Sequence, residues 1–109
     1  MPTTYKILAQ SAPSATTSTD LYAVPSATQT VVSSIVVCNR DSAAATYRIS
    51  TAPTGTALAN SQYIAYDVTV GGNDSTIITI GATLGATDKI RVYASTANLT
   101  FTAYGSEIS

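Results

Sequence analysis

The sequence predicts an all-β protein, a single antiparallel β-sandwich of about eight strands with a jelly-roll-like arrangement. Three observations predict it. Apolar and polar residues alternate with a period of two in segment after segment. Clusters of Gly, Pro, Asn, Asp and Ser break those segments at roughly ten-residue intervals, the spacing of sandwiches and barrels. No window of about a dozen residues carries the 3.6-residue apolar stripe of a helix.

Taken in order, the first strand is expected over "TYKILA". The following "SAPSATTSTD" has little apolar bulk and reads as an extended linker. Residues 1–20 are therefore expected to form an N-terminal arm with an edge strand, and residues 21–109 the sandwich domain. "DLYAVP" is a short strand. "TVVSSIVVCNRD" alternates briefly and then runs apolar through Ile35, Val36, Val37 and Cys38, the pattern of a strand buried on both faces. "ATYRIS" sets Tyr47 and Ile49 against Thr46, Arg48 and Ser50. "SQYIAYDVTV" places Ile64, Tyr66, Val68 and Val70 on one face and Asp67 and Thr69 on the other. "STIITI" follows, and "DKIRVYAS" opposes Ile90, Val92 and Ala94 to Lys89, Arg91 and Tyr93. The last, "NLTFTAYGSEIS", opposes Leu99, Phe101 and Ala103 to Thr100, Thr102 and Tyr104. The intervening "RDSA", "APTGTA", "VGGND", "GATLGATD" and "STAN" have turn chemistry. "TGTALANSQYIAY" holds weak helix formers and leaves room for one helical turn at most.

A chain of 109 residues suffices for one domain with its own core. Charged residues make up only 10% of it, against about 25% in an average domain. In their place stand 19 Thr, 13 Ser and 17 Ala. Hydroxyl-rich surfaces suit pleated sheet and contacts with neighbours, where charge would have to be desolvated. The net charge is −1 and the five cations Lys6, Arg40, Arg48, Lys89 and Arg91 are scattered. No patch could release phosphate counterions, so no nucleic-acid partner is expected. No stretch reaches the roughly 18–20 apolar residues of a membrane span, and no signal peptide is read at the N-terminus. The expectation is assembly in a cytoplasm without a membrane partner.

The chain contains no His, which removes Ser-His-Asp and Cys-His catalysis and histidine metal sites. Cys38 has Arg40 two residues on, a cation that could activate a thiol. The apolar run before it instead reads as core, where Cys acts as a small hydrophobe. The carboxylates are not paired in sequence as a glycosidase requires, and "GGND" lacks calcium-loop spacing. No catalytic residue, cofactor or metal is expected. Seven Tyr beside one Phe and no Trp are more informative, because Tyr joins an apolar body to a polar tip and favours interfaces. Tyr47 shares a face with Ile49 and is expected in the core. Tyr63 and Tyr93 oppose the apolar faces of their strands and, with mid-strand Asp67, are candidates for partner contact. Tyr5, with Lys6 beside it, and Tyr22 are candidates to anchor the N-terminal segment on a neighbouring subunit. The plainer reading of each is core or ordinary surface.

"LYAVPSATQTVVSSIVVCNRDSAAATYRIS", "YIAYDVTV" and "TDKIRVYASTANLTFTAYGSEIS" resemble small virion proteins encoded by tailed bacteriophages, including cyanophages. The resemblance runs from about Leu21 onward and rests on strand and turn residues, so no functional residue carries over. It implies a non-catalytic β-sandwich that oligomerises on a phage particle. The expected role is a capsid cement or decoration protein, a symmetric homo-oligomer such as a trimer that contacts major capsid or other virion proteins. The alternative is a tail, baseplate or fibre component that contacts host glycans through exposed tyrosines.

Overall fold

The computed structural model describes residues 2–109. The strands are β1 (Thr3–Ser11), β2 (Thr19–Ala23), β3 (Gln29–Asn39), β4 (Ala45–Ala52), β5 (Tyr63–Val70), β6 (Ser75–Leu84), β7 (Lys89–Ala94) and β8 (Leu99–Ile108). Two single 3-10 turns, Pro53–Gly55 and Asn60–Gln62, interrupt the connection between β4 and β5. Among the described residues no helix is long and apolar enough to cross a membrane.

Two four-stranded antiparallel sheets form, ordered β1-β8-β3-β6 and β2-β7-β4-β5. The pairs β1–β8, β2–β7, β3–β6 and β4–β5 are the rungs of one long hairpin ladder. The further pairings β3–β8 and β4–β7 roll that ladder into two sheets. This is jelly-roll connectivity, and the predicted fold class is observed. β1 lies against β2 along one lateral side of the sandwich. β5 and β6, joined by the short corner 71–74, form the other side.

Alternation builds the core. Val32, Ile35, Val37, Leu99, Phe101 and Ala103 from one sheet meet Tyr47, Ile49, Ile90, Val92 and Ala94 from the other. Tyr47 and Phe101 pack edge to face across the layers, ring centres 6.2 Å apart. Full burial of one large apolar side chain contributes about 1.5–3 kcal/mol, so this inner layer is the main source of stability.

Two sequence expectations about the core are corrected. β3 is covered on one face only: Val32, Ile35, Val37 and Asn39 are buried, whereas Val36 and Cys38 lie half-buried on the outer face. A two-layer fold offers each strand one covered face. Val36 and Cys38 owe their partial cover to cross-strand neighbours, which for Cys38 are Thr100 and Ser75. On β5 the stripe Ile64, Tyr66, Val68 and Val70 does not form a core face, because only Val70 is buried. Asp67 adopts φ 51° and forms a bulge: Tyr47 pairs with Val68 and Ile49 with Ala65, so Tyr66 and Asp67 together oppose Arg48. One extra residue inverts the phase of alternation. Ala65 turns toward the core, and Ile64 and Tyr66 turn outward, 50% and 57% exposed.

Of the N-terminal residues 1–20, Met1 lies outside the described residues. Thr3–Ser11 form the edge strand β1 and pair with β8 along their whole length. The connection 12–18 is tied down by the Thr16 N–H, which donates to the Ala94 carbonyl at 2.8 Å. β1 and the connection after it are thus tied to the sandwich of the same chain.

Candidate functional site

The outer face of the β2-β7-β4-β5 sheet carries a cluster around Arg48. Its position on β4 makes it point away from the core, and Tyr93 of β7 is its cross-strand partner. The β5 bulge delivers Tyr66 and Asp67 to its other side. The guanidinium carbon lies 4.3 Å from the Tyr66 ring centre and 4.4 Å from that of Tyr93, a double cation–π arrangement. Arg48 Nε donates to Asp67 Oδ1 at 2.6 Å and Nη2 to Oδ2 at 3.3 Å. The Asp67 carboxylate raises the already high pKa of Arg48. Tyr63 meets Tyr66 edge-on at 4.9 Å. Three of the residues singled out in the sequence, Tyr63, Asp67 and Tyr93, therefore come together.

Beside this cluster lies a shallow groove of about 230 Å³ lined by Thr16, Ser18, Ser50, Leu58, Tyr63 and Tyr93, with Arg48 and Arg91 also on its wall. Arg91 Nε donates to Asp20 at 3.1 Å, and its terminal nitrogens donate to the carbonyls of Thr56 at 2.8 Å and Gly55 at 3.3 Å. These bonds hold the β4–β5 connection over the sheet. Lys89 donates to the other Asp20 oxygen at 3.1 Å. Lys89 and Arg91 together hold the Asp20 carboxyl below its usual range, outweighing partial desolvation. Both arginines of the groove are paired, Arg48 with Asp67 and Arg91 with Asp20, although Arg91 shares Asp20 with Lys89.

The other three singled-out residues lie on the β1/β2 side of the sandwich. Tyr22 is buried, and its hydroxyl contacts Thr30 Oγ1 at 2.9 Å and donates to the Glu107 carboxylate. Glu107 in turn pairs with Lys6 at 2.8 Å. Burial, reinforced by the bond to Glu107, pushes the Tyr22 phenol up to about 12. Lys6 first, then Tyr22, holds the Glu107 carboxyl below its usual range. Lys6 and Tyr22 are thus joined through Glu107 in a clasp between the sheets. Tyr5 is 82% exposed and belongs to no such network.

Sequence reasoning missed Arg48, Tyr66 and Glu107. A lone Arg at the centre of an alternating strand was a usable signal for Arg48, but the bulge that brings Tyr66 to it has no residue pattern of its own. Arg40 is directed away from Cys38: its Nη2 donates to the Ala97 carbonyl at 2.9 Å. Among the described residues no group of three or more His, Cys, Asp or Glu is gathered as metal ligands would be. Comparison with protein-family models and with curated proteins finds no match to this chain.

Proposed function

We propose that this chain is a non-enzymatic bacteriophage virion structural protein, a cement or decoration protein that stabilises the head shell through contacts with itself and with capsid subunits. The observation that carries the reading is where its apolar surface sits. Tyr5, Ile7, Ile64 and Ile77 are each at least half exposed on strands of the sandwich, and exposed apolar side chains among hydroxyls mark contact with other proteins. A protein that binds only the assembled shell stabilises that shell by mass action. Assembly would take place in the host bacterial cytoplasm and the finished protein would reside in the virion. Imaging of intact particles tests this: density for the chain across the head lattice supports it, and density confined to the tail refutes it.

A second reading, a tail, baseplate or fibre component that contacts host glycans, is favoured by one observation. Tyr63, Tyr66 and Tyr93 share the outer face of one sheet beside a groove whose two arginines are both paired. Sugars present apolar C–H faces to aromatic rings and hydroxyls to neutral polar groups. Glycan-array binding that Tyr93→Ala abolishes would favour this reading over the first.

A further inference from the structure

The four sheet edges are not equally protected against pairing with another chain. Sheets avoid edge-to-edge association with short edges, charges, inward-pointing charged residues, prolines and bulges. β1 carries Lys6, paired with Glu107, and a bulge between Ile7 and Ala9. β2 is five residues long and carries Asp20, held by Lys89 and Arg91. β5 is broken by the Asp67 bulge. β6 has none of these devices over residues 75–79, and its own bulge, around Gly81 between Thr79 and Ala82, lies beyond them. Its "STIITI" contains no charge, proline or glycine, and it keeps unbroken register with β3 from Ser75 through Thr79. Ile77 on its outer face is 67% exposed, more than any other exposed aliphatic residue of the described chain. Ile78 and Ile80 turn toward the core yet remain only partly buried. The β1/β2 side is closed by the Tyr22–Glu107–Lys6 clasp.

We propose that the β6 edge is a self-association surface, on which a second copy of this chain adds its own β6 antiparallel about a two-fold axis. Two four-stranded sheets become one eight-stranded sheet, and the unpaired backbone groups of both edges find partners. Charge favours a second copy here over the other three edges. Self-pairing sets a strand against itself, so on β1, β2 or β5 it would bring Lys6, Asp20 or Asp67 toward its own like charge, an unfavourable cross-strand arrangement. β6 brings only hydroxyls and isoleucines together. Centred on Ile78, the pairing sets Ile78 against Ile78, Ile77 against Thr79 and Thr76 against Ile80, each on a matching face. An isologous contact of this kind closes at a dimer, so it replaces the three-fold symmetry expected from the sequence. The inference rests on the reading of this chain as a self-associating assembly protein and narrows it to one edge.

Sedimentation and light scattering of the full chain across a concentration series test it. A dimer is expected. Thr79→Lys or Ile77→Lys, each at an outer-face position, weakens it by about tenfold or more, while Tyr5→Lys leaves it unchanged. Unaltered circular dichroism and thermal melting of Thr79→Lys show that the sandwich itself survives. A dimer insensitive to both β6 lysines overturns the proposal and leaves the assembly reading standing, because another surface then joins the copies. A monomer at every concentration overturns the proposal and the homo-oligomer together.

Discussion

The hydroxyl of Tyr22 on β2 donates to the carboxylate of Glu107 on β8, so one side chain of each sheet closes the same side of the sandwich. Thr30 on β3 and Lys6 on β1 complete the clasp. A buried hydrogen bond to a charged group contributes about 1.5–3 kcal/mol. Tyr22→Phe keeps the ring in the core and removes only the hydroxyl, so unfolding by urea should show a loss in that range with an unchanged denaturant slope.

The same clasp sets the pH dependence of stability. The folded pKa of Glu107 is lowered, chiefly by Lys6, and that of Asp20 is lowered, chiefly by Lys89. Their contribution is present above the ordinary carboxylate range and is lost as pH falls through the lowered folded values. Asp20 is half exposed, so its share is screened and Glu107 dominates. Tyr22 behaves oppositely. Its folded pKa rises from 10.0 to about 12, so its contribution is complete below 10.0 and is lost as pH climbs through about 12. Melting temperature against pH should fall on both sides of a neutral plateau. Glu107→Gln should flatten the acid limb, and Tyr22→Phe should soften the alkaline limb without abolishing it, because burial also raises the Tyr47 pKa. An alkaline limb identical in Tyr22→Phe would show that the Tyr22 phenol does not govern it.

Asn39 is buried at the end of β3 and is the polar pin of two turns. Its Nδ2 donates to the carbonyls of Ala43 at 2.8 Å, Gly71 at 3.2 Å and Val70 at 3.4 Å, while Oδ1 accepts from the Asp41 N–H at 3.0 Å. Asn39→Ala leaves these buried groups without partners, at about 1–3 kcal/mol. Asn39→Asp places a carboxylate against three carbonyl oxygens. Its loss should be larger at neutral pH than in mild acid, where protonation restores one donor. Chemical denaturation of both variants at the two pH values checks this. Equal losses for Asn39→Asp at both would show that the Nδ2 donors are not what the fold needs here.

Most of the fold was legible because one covered face per strand imposes period-two patterning. Tyr47, Ile49, Ile90, Val92, Leu99 and Phe101 all lie where alternation put them. What escaped were changes of phase. Asp67 on β5, the offset between Val32 and Ser34 on β3 and that between Ile7 and Ala9 on β1 each shift register by local backbone geometry, for which no residue type is obligatory. The Arg48 cluster exists only because of such a shift. The Tyr22–Glu107 pair joins residues far apart in the chain, and nothing in either local sequence names the other.

Gly105 is a position where close approach, and not a turn, requires glycine. A Cβ there would lie 2.0 Å from the Val31 carbonyl oxygen and 3.0 Å from Leu8 Cδ1. The Val31 oxygen belongs to a paired strand and cannot move without disturbing the ladder between β3 and β8. Forcing a methyl group into packed surroundings costs about 1–3 kcal/mol. Gly105→Ala should therefore lower the melting temperature, and Gly85→Ala, whose Cβ meets only Asp88 Oδ2 at an ordinary 3.7 Å, serves as the control. Equal stability of the two variants would mean that β3 yields more readily than its pairing suggests.

Cys38 and Ile35 belong to one apolar run yet sit on opposite faces of β3. Ile35 is fully buried in the inner layer, while Cys38 lies half-covered on the outer face between Thr100 and Ser75. Removing a buried Ile side chain to Ala costs about 2–5 kcal/mol through lost burial and the cavity left behind. Replacing Cys38 by Ser exchanges one small side chain for another in a hydroxyl-rich row, and substitutions away from core packing stay within about 0.5 kcal/mol. Denaturation of the two variants should separate them by at least the difference between these ranges. A thiol reagent should also modify Cys38 without unfolding the protein, because the outer face is where reagents arrive. Complete protection of the thiol in the native state would place Cys38 under a cover that the single chain does not supply.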